Sequence, residues 1–66
     1  MIIQHIYTVP TNHASKWLID DRYAVYISPF SKCMQRVVDT KTDTDITDTV
    51  KGCELFIAAY EAENPR

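Results

Sequence analysis

Residues 22–28, Arg-Tyr-Ala-Val-Tyr-Ile-Ser, form the stretch that decides the fold class. In an extended chain Tyr23, Val25 and Ile27 share one face, and the residues between them share the other face. This period of two, filled with β-branched and aromatic side chains, is typical of a β-strand. We therefore take residues 22–28 as the strongest strand in the chain.

The residues before this strand predict one further strand, an apolar run and a turn. Residues 17–19, Trp-Leu-Ile, are an apolar run, and Asp20-Asp21 separates them from the strand as a turn. Residues 2–9 are mostly β-branched and aromatic and stop at a proline, which predicts a strand. Residues 10–15 are turn and loop formers and connect these segments.

Residues 28–38 are open to two interpretations. Ser28-Pro29 resembles a helix start, with apolar residues following at helical spacing. Alternatively, residues 29–32 form a hairpin loop that leads into a strand over residues 33–39. We favour the hairpin, because two strands alone would make a poor sheet.

The last segment predicts an amphipathic helix. Asp45 is a suitable N-cap, and the pattern ends near Asn64-Pro65. One stripe is apolar at about 100° per residue and is expected to face the core, with Thr49 and Phe56 on its flanks. That stripe contains Ile46, Val50, Cys53, Ile57 and Tyr60.

These segments together predict an α+β fold in one domain over residues 1–66. We expect a small antiparallel sheet of about three strands, with a C-terminal α-helix packed across it. The alternative is a β-hairpin followed by two helices. A chain of 66 residues buries only about 60% of the surface that its unfolded form exposes, so we expect marginal stability.

The helix face opposite the expected core stripe is also apolar. It contains Gly52, Leu55, Ala59 and Ala62 at helical spacing. Small residues allow another backbone to approach closely, and a solvated helix face normally carries polar side chains. We expect these four residues to bind a partner, either another protein or a second copy of the chain.

Composition restricts the class of protein. With one glycine, the chain cannot contain a Gly-rich nucleotide loop, and no apolar run approaches the length of a membrane span. The N-terminus lacks the pattern of a secretory signal, so we expect a cytoplasmic protein in which Cys33 and Cys53 are reduced and buried. Net charge is +2 over residues 1–38 and −4 over residues 39–66.

The residues that could carry chemistry do not form a known pattern. The acidic run from Asp39 lacks the glycine of an EF-hand loop in either register, and capping explains its Thr and Asp residues. The chain has two histidines and two cysteines, but neither cysteine has the close mate that structural zinc sites require. No pattern places a histidine beside a cysteine, and we expect no catalytic residue, metal or cofactor.

The function that fits these features best is that of a non-enzymatic interaction module. By analogy of size, such chains include accessory and inhibitor proteins, among them proteins of phages and other mobile elements. The alternative is a small nucleic-acid-binding domain that uses the aromatic and basic residues of segment 16–32. The acidic composition, with a pI near 5.5, makes this alternative the weaker of the two.

Overall fold

A computed structural model describes residues 1–11, 13–28 and 36–63 of the chain. The described residues form five β-strands and one C-terminal α-helix. The elements are β1 (Ile3–Thr8), β2 (Ser15–Ile19), β3 (Tyr23–Ile27), β4 (Arg36–Asp39), β5 (Thr44–Asp45) and α1 (Val50–Glu63). The strands make one sheet in chain order, and each strand is antiparallel to its neighbours.

The α+β prediction is confirmed, but the sheet has five strands where about three were expected. The alternative of a hairpin and two helices is wrong, because residues 36–39 form β4. Residues 29–35, where a helix start or a hairpin loop was predicted, lie outside the described residues. β4 lies within the strand favoured over residues 33–39. β2 was expected only as an apolar run, and β5 was missed because two residues are too few to show a period of two.

The turn at Asp20-Asp21 has the geometry that a tight hairpin requires. Both aspartates have φ of 54°, and the Arg22 N–H donates to the Ile19 carbonyl at 3.1 Å. Positive φ at both central residues is the mark of a type I′ turn, whose twist matches that of the flanking strands. Aspartate tolerates this left-handed conformation better than most residues do, so the pair forms the turn without glycine.

The core lies between one face of the sheet and α1. The helix packs on β2, β3 and β4, and its buried side chains meet those of Ile19, Val25, Ile27 and Val37. The pairing of Trp17 with Val25, and of Val25 with Val37, places these residues in one row beneath the helix. The helix is also too short and too polar to cross a membrane, and the described residues contain no other helix.

The helix begins later than the sequence predicted. Thr49, rather than Asp45, is its N-cap, because the Thr49 Oγ1 accepts a hydrogen bond from the Gly52 N–H at 2.9 Å. Asp45 instead accepts from the Thr47 backbone N–H at 2.9 Å and holds the turn that precedes the helix. The physical cause is the strand β5, which keeps Asp45 extended beside Val38.

Candidate functional site

The predicted contact face of the helix faces this chain's own sheet. Gly52, Leu55 and Ala59 are buried, and Leu55 and Ala59 are fully inaccessible to solvent. Ala62 is exposed. The prediction that this face points outward is therefore wrong, and three of its four residues belong to the core.

The reason for the inverted rotation is the space beneath the helix. A Cβ placed on Gly52 would lie 1.9 Å from the Ile46 carbonyl oxygen and 2.8 Å from its carbon. Small residues on this face let the helix backbone approach the chain below it, and the sheet supplies the bulky side chains of the core. Val50, Ile57 and Tyr60, on the other side of α1, are consequently turned toward solvent.

The outward face of α1 forms an apolar surface that we call the outer stripe. It consists of Val50, Cys53, Ile57 and Tyr60, the helix residues that were expected in the core. Val50 is 79% exposed, Ile57 55% and Tyr60 51%. The Tyr60 ring lies 6.1 Å from the half-buried Phe56 ring, which joins the stripe to the core. An aligned group of exposed large apolar side chains is typical of an interaction surface.

A shallow depression borders the outer stripe. Thr47, Cys53, Phe56 and Ile57 line it, and its volume is about 230 Å³. This volume is below the range of roughly 300–1,000 Å³ that is usual for small-molecule pockets. The depression is therefore smaller than a usual small-molecule site, and its lining is mainly apolar.

Acidic side chains run along one side of the outer stripe. Glu54 follows Val50 by four positions and Glu61 follows Ile57 by four positions, so each carboxylate lies one turn from a stripe residue. Both glutamates are exposed. The helix's lysine does not offset them there, because the Lys51 Nζ lies over the Tyr23 ring at 5.5 Å from its centroid.

The opposite face of the sheet carries a second set of aligned residues, the cross-strand row of Tyr7, Lys16, Tyr26 and Arg36. Tyr7 pairs with Lys16, Lys16 with Tyr26, and Tyr26 with Arg36, so the four lie directly opposite one another on β1 to β4. Residues paired in this way share one face of the sheet. Since Val25 and Val37 point toward the helix, their neighbours Tyr26 and Arg36 point away from it.

A β-bulge brings Tyr7 into the cross-strand row. The pairing passes from His5 opposite Trp17 to Tyr7 opposite Lys16, which leaves one extra residue in β1. One additional residue reverses the face of every side chain that follows it. Without the bulge Ile6 would stand opposite Lys16, and the row would lose its first aromatic ring.

The two cations of the cross-strand row each have a neighbour. The Lys16 Nζ lies 5.4 Å from the centroid of the Tyr26 ring, within the range of a cation–π contact. The Arg36 Nε lies 3.4 Å from the Asp45 Oδ2, and both side chains are more than half exposed. A solvent-exposed ion pair of this kind contributes little free energy.

The structure divides the aromatic and basic segment 16–32 between two faces. Lys16 and Tyr26 lie on the face of the sheet that points away from α1, which we call the open face because the one helix of the described residues packs on the other side. Trp17 and Tyr23 pack against the core under the helix. The Trp17 ring lies 4.9 Å from the His5 ring, also on the helix side. Phe30 and Lys32 lie outside the described residues.

The acidic residues near β4 and β5 are held by local partners. Asp39 accepts from the Arg22 Nε at 2.9 Å and from Nη2 at 2.8 Å, and this pairing lowers the pKa of Asp39 to about 2. Hydrogen bonds from Thr47 lower the pKa of Asp45. The described residues contain no group of three or more potential metal ligands.

His5 and Cys53 lie on different elements, β1 and α1. The His5 Nε2 is hydrogen-bonded to the Thr8 hydroxyl at 2.6 Å. Cys53 is a free thiol exposed on α1, so the prediction that it is buried is wrong. Cys33 lies outside the described residues.

Sequence reasoning missed Tyr7 and Arg36 as members of a surface. Nothing in the sequence marks the bulge at β1, and the register of β4 depends on pairing with β3. The one signal that could have found them is charge, because residues 1–19 and 22–38 contain no acidic side chain.

Comparison with family models, curated proteins and solved structures gave no match.

Proposed function

We propose that the chain is a non-enzymatic interaction module that binds another protein through the outer stripe of α1. The observation that carries this proposal is the alignment of three large apolar side chains, Val50, Ile57 and Tyr60, each more than half exposed. Burying such a side chain contributes roughly 1.5–3 kcal/mol, so the stripe offers a substantial gain on association. In a domain that is itself marginally stable, apolar side chains of this size would otherwise be expected in the core.

The depression beside the stripe supports a particular form of contact. Its volume of about 230 Å³ suits a single apolar side chain from the partner. Anchor residues that fill such pockets carry much of the free energy of protein association. The partner would insert one anchor between Cys53 and Phe56 while its other apolar residues cover the stripe.

The partner that fits this surface is an amphipathic helix whose apolar stripe is flanked by lysine or arginine. A helix laid along α1 matches the stripe at a spacing of three to four residues. Glu54 and Glu61 on one side of the stripe favour basic flanking residues. A second copy of the chain fits less well in an antiparallel pairing, because its own Glu54 and Glu61 would lie on the same side as those of the first copy.

Binding would make the chain an accessory or inhibitor protein of its partner, and a cytoplasmic location is part of the same proposal. Such a role predicts that the partner's activity changes in proportion to the occupancy of the complex. This proportionality is measured by titrating the purified partner with the chain while both binding and partner activity are followed.

The test uses Ile57→Ser, with Ala62→Ser as the matched control on the same helix. Both positions are exposed, so both variants should fold with melting temperatures close to that of the parent chain. A partner isolated by affinity capture is purified and titrated into each variant by calorimetry. We expect a 1:1 complex that Ile57→Ser weakens at least roughly tenfold and Ala62→Ser leaves unchanged.

Cys53 provides a second measurement without any substitution. Because its thiol lies in the outer stripe, alkylation of Cys53 should slow on complex formation, and peptide mass spectrometry reads this position separately. Equal affinity of both serine variants, together with unchanged Cys53 alkylation, would refute the proposal. If sedimentation shows that the chain alone forms a dimer, and that Ile57→Ser abolishes this dimer, the partner of the outer stripe is a second copy of the chain and not a basic helix.

A further inference from the structure

We propose that the open face of the sheet binds single-stranded nucleic acid along the cross-strand row. The row alternates an aromatic ring and a cation over four strands, in the order Tyr7, Lys16, Tyr26 and Arg36. Neighbouring strands lie about 4.8 Å apart, so the row extends across the sheet as a nearly straight line. This surface lies on the other side of the sheet from α1 and does not depend on the outer stripe.

The alternation matches the two parts of a nucleotide. Bases stack on aromatic rings, and phosphates pair with lysine and arginine. Sheets that bind single strands present aromatic side chains on a face that no helix covers. The helix of the described residues lies on the other face of the sheet from Tyr7, which is exposed, and Tyr26, which is half-buried. A folded acidic protein would not require rings between the cations, so the pattern favours a nucleic acid over an acidic partner.

The charge distribution supports an anionic ligand on this face. Tyr7, Lys16, Tyr26 and Arg36 all come from residues 1–19 and 22–38, which contain no aspartate or glutamate. The acidic side chains come from the turn at residues 20–21, from residues 39–48 and from α1. One of them, Asp45, stands opposite Val38 on the same face as the row and is the partner of Arg36. The overall charge of −2 is therefore unevenly distributed, and the segments that supply the row are basic, although Asp45 offsets part of the charge of Arg36.

The contacts of the free protein can be exchanged for contacts with a ligand. The Lys16 Nζ rests on the Tyr26 ring at 5.4 Å, and it can move to a phosphate while a base takes its place on the ring. Arg36 and Asp45 are 62% and 53% exposed, so their ion pair gives way to a phosphate at little cost. Stacking does not depend on base identity, and we expect binding with little sequence preference.

Two cations set the expected strength and salt dependence. For single strands, the logarithm of the binding constant falls by about 0.7 per phosphate contact for each decade of salt. Lys16 and Arg36 together predict a slope of about −1.4. We expect dissociation constants of roughly micromolar order at low salt, because the contacts are few.

The test is fluorescence anisotropy with labelled oligothymidylate and oligouridylate of about a dozen nucleotides, from about 50 to 200 mM salt. Lys16→Gln is compared with Lys41→Gln, an equal change of charge in the exposed turn after β4. We expect Lys16→Gln to reduce the slope to about −0.7 and Lys41→Gln to leave it unchanged. Equal effects of the two variants would show that only net charge matters and would overturn the proposal.

The aromatic part of the proposal has its own pair of variants. Tyr26→Leu removes a ring from the row, and Tyr60→Leu removes an exposed ring from the outer stripe. We expect Tyr26→Leu to weaken binding roughly 10- to 100-fold and Tyr60→Leu to have no effect. If Tyr26→Leu does not fold, Tyr7→Leu on the edge strand takes its place, since Tyr7 is 45% exposed.

Two results would overturn the inference outright. One is the absence of saturable binding of either oligonucleotide by the folded parent chain at low salt. The other is binding that neither tyrosine variant of the row weakens. Ile57→Ser separates this inference from the proposed function, because it should release the protein partner and leave oligonucleotide binding intact.

Discussion

The backbone of Ile46 occupies the space into which a side chain on Gly52 would extend. A Cβ in that direction would lie 1.9 Å from the Ile46 carbonyl oxygen, a distance that real Cβ atoms do not reach. Its next neighbours would also be backbone atoms, at 2.8 Å and 3.3 Å, and backbone cannot swing aside as a flexible side chain does. The single glycine of the chain thus permits the close approach of α1 to the turn before it.

Gly52→Ala should destabilise the protein, although alanine is the better helix former. Helix propensity alone would add about 1 kcal/mol of stability. The clash with Ile46 opposes this gain, and overpacking of this kind costs roughly 1–3 kcal/mol or more. Urea denaturation measures the free energy of unfolding of the variant. A value equal to or above that of the parent chain would contradict the close contact between Gly52 and Ile46.

Leu55→Ala and Ile57→Ala should differ sharply, because they lie on opposite faces of α1. Leu55 is fully buried, and its truncation should cost roughly 2–5 kcal/mol, which is comparable with the stability of the whole domain. Ile57 is 55% exposed, so its truncation should shift the free energy of unfolding by less than about 1 kcal/mol. Thermal melts of the two variants test which side of the helix faces the sheet. A lower melting temperature for Ile57→Ala than for Leu55→Ala would refute the described rotation of α1.

Stability should fall in acid because of the pairing of Asp39 with Arg22. The Arg22 guanidinium holds the pKa of Asp39 at about 2, below its unfolded value of about 3.9. The unfolded chain therefore takes up this proton first, and the stabilisation is present above about pH 4 and lost as pH falls toward 2. Asp39→Asn should flatten the decline in melting temperature over this interval, and an unchanged decline would assign it to other carboxylates.

Ser15→Ala should loosen the end of α1 from the sheet. The buried Ser15 hydroxyl donates to the Glu63 Oε1 at 2.5 Å and accepts from the Trp17 Nε1 at 3.3 Å. Removal of a hydrogen bond to a charged group costs roughly 1.5–3 kcal/mol. We expect a lower melting temperature and altered Trp17 fluorescence. Ala62→Ser, at an exposed site near the same helix end, is the control and should change neither property.

The local pattern of the sequence was sufficient for several elements. Residues 22–28 and 2–9 contain β3 and β1, because alternation and β-branched side chains favour an extended chain wherever one face is covered. The Asp20-Asp21 turn and the C-terminal helix followed from residue types that act within a few positions. Arg36–Asp39 lies within the strand favoured over residues 33–39. Thr44–Asp45 was not predicted, because a strand of two residues depends on the partner beside it.

Which side of α1 is covered was not decided by its own sequence. Both Leu55 and Ile57 lie on apolar stripes, so periodicity alone allowed two rotations, and the size of the side chains favoured the wrong one. The clearance between Gly52 and Ile46 selects the other, since only a glycine fits there. The outer stripe is exposed for the same reason, because the side of α1 that contains Gly52 is the side that can pack against the rest of the chain.

The sequence by itself determined the fold class, the positions of the longest strand and the helix, and the separation of basic from acidic residues. These properties depend on residues that are close in the chain, whose spacing and charge can be counted directly. The tertiary structure decided which side of α1 meets the sheet and that Tyr7, Lys16, Tyr26 and Arg36 stand in one row. Both depend on contacts between distant residues, where one bulge or one backbone approach reverses the face that a side chain occupies.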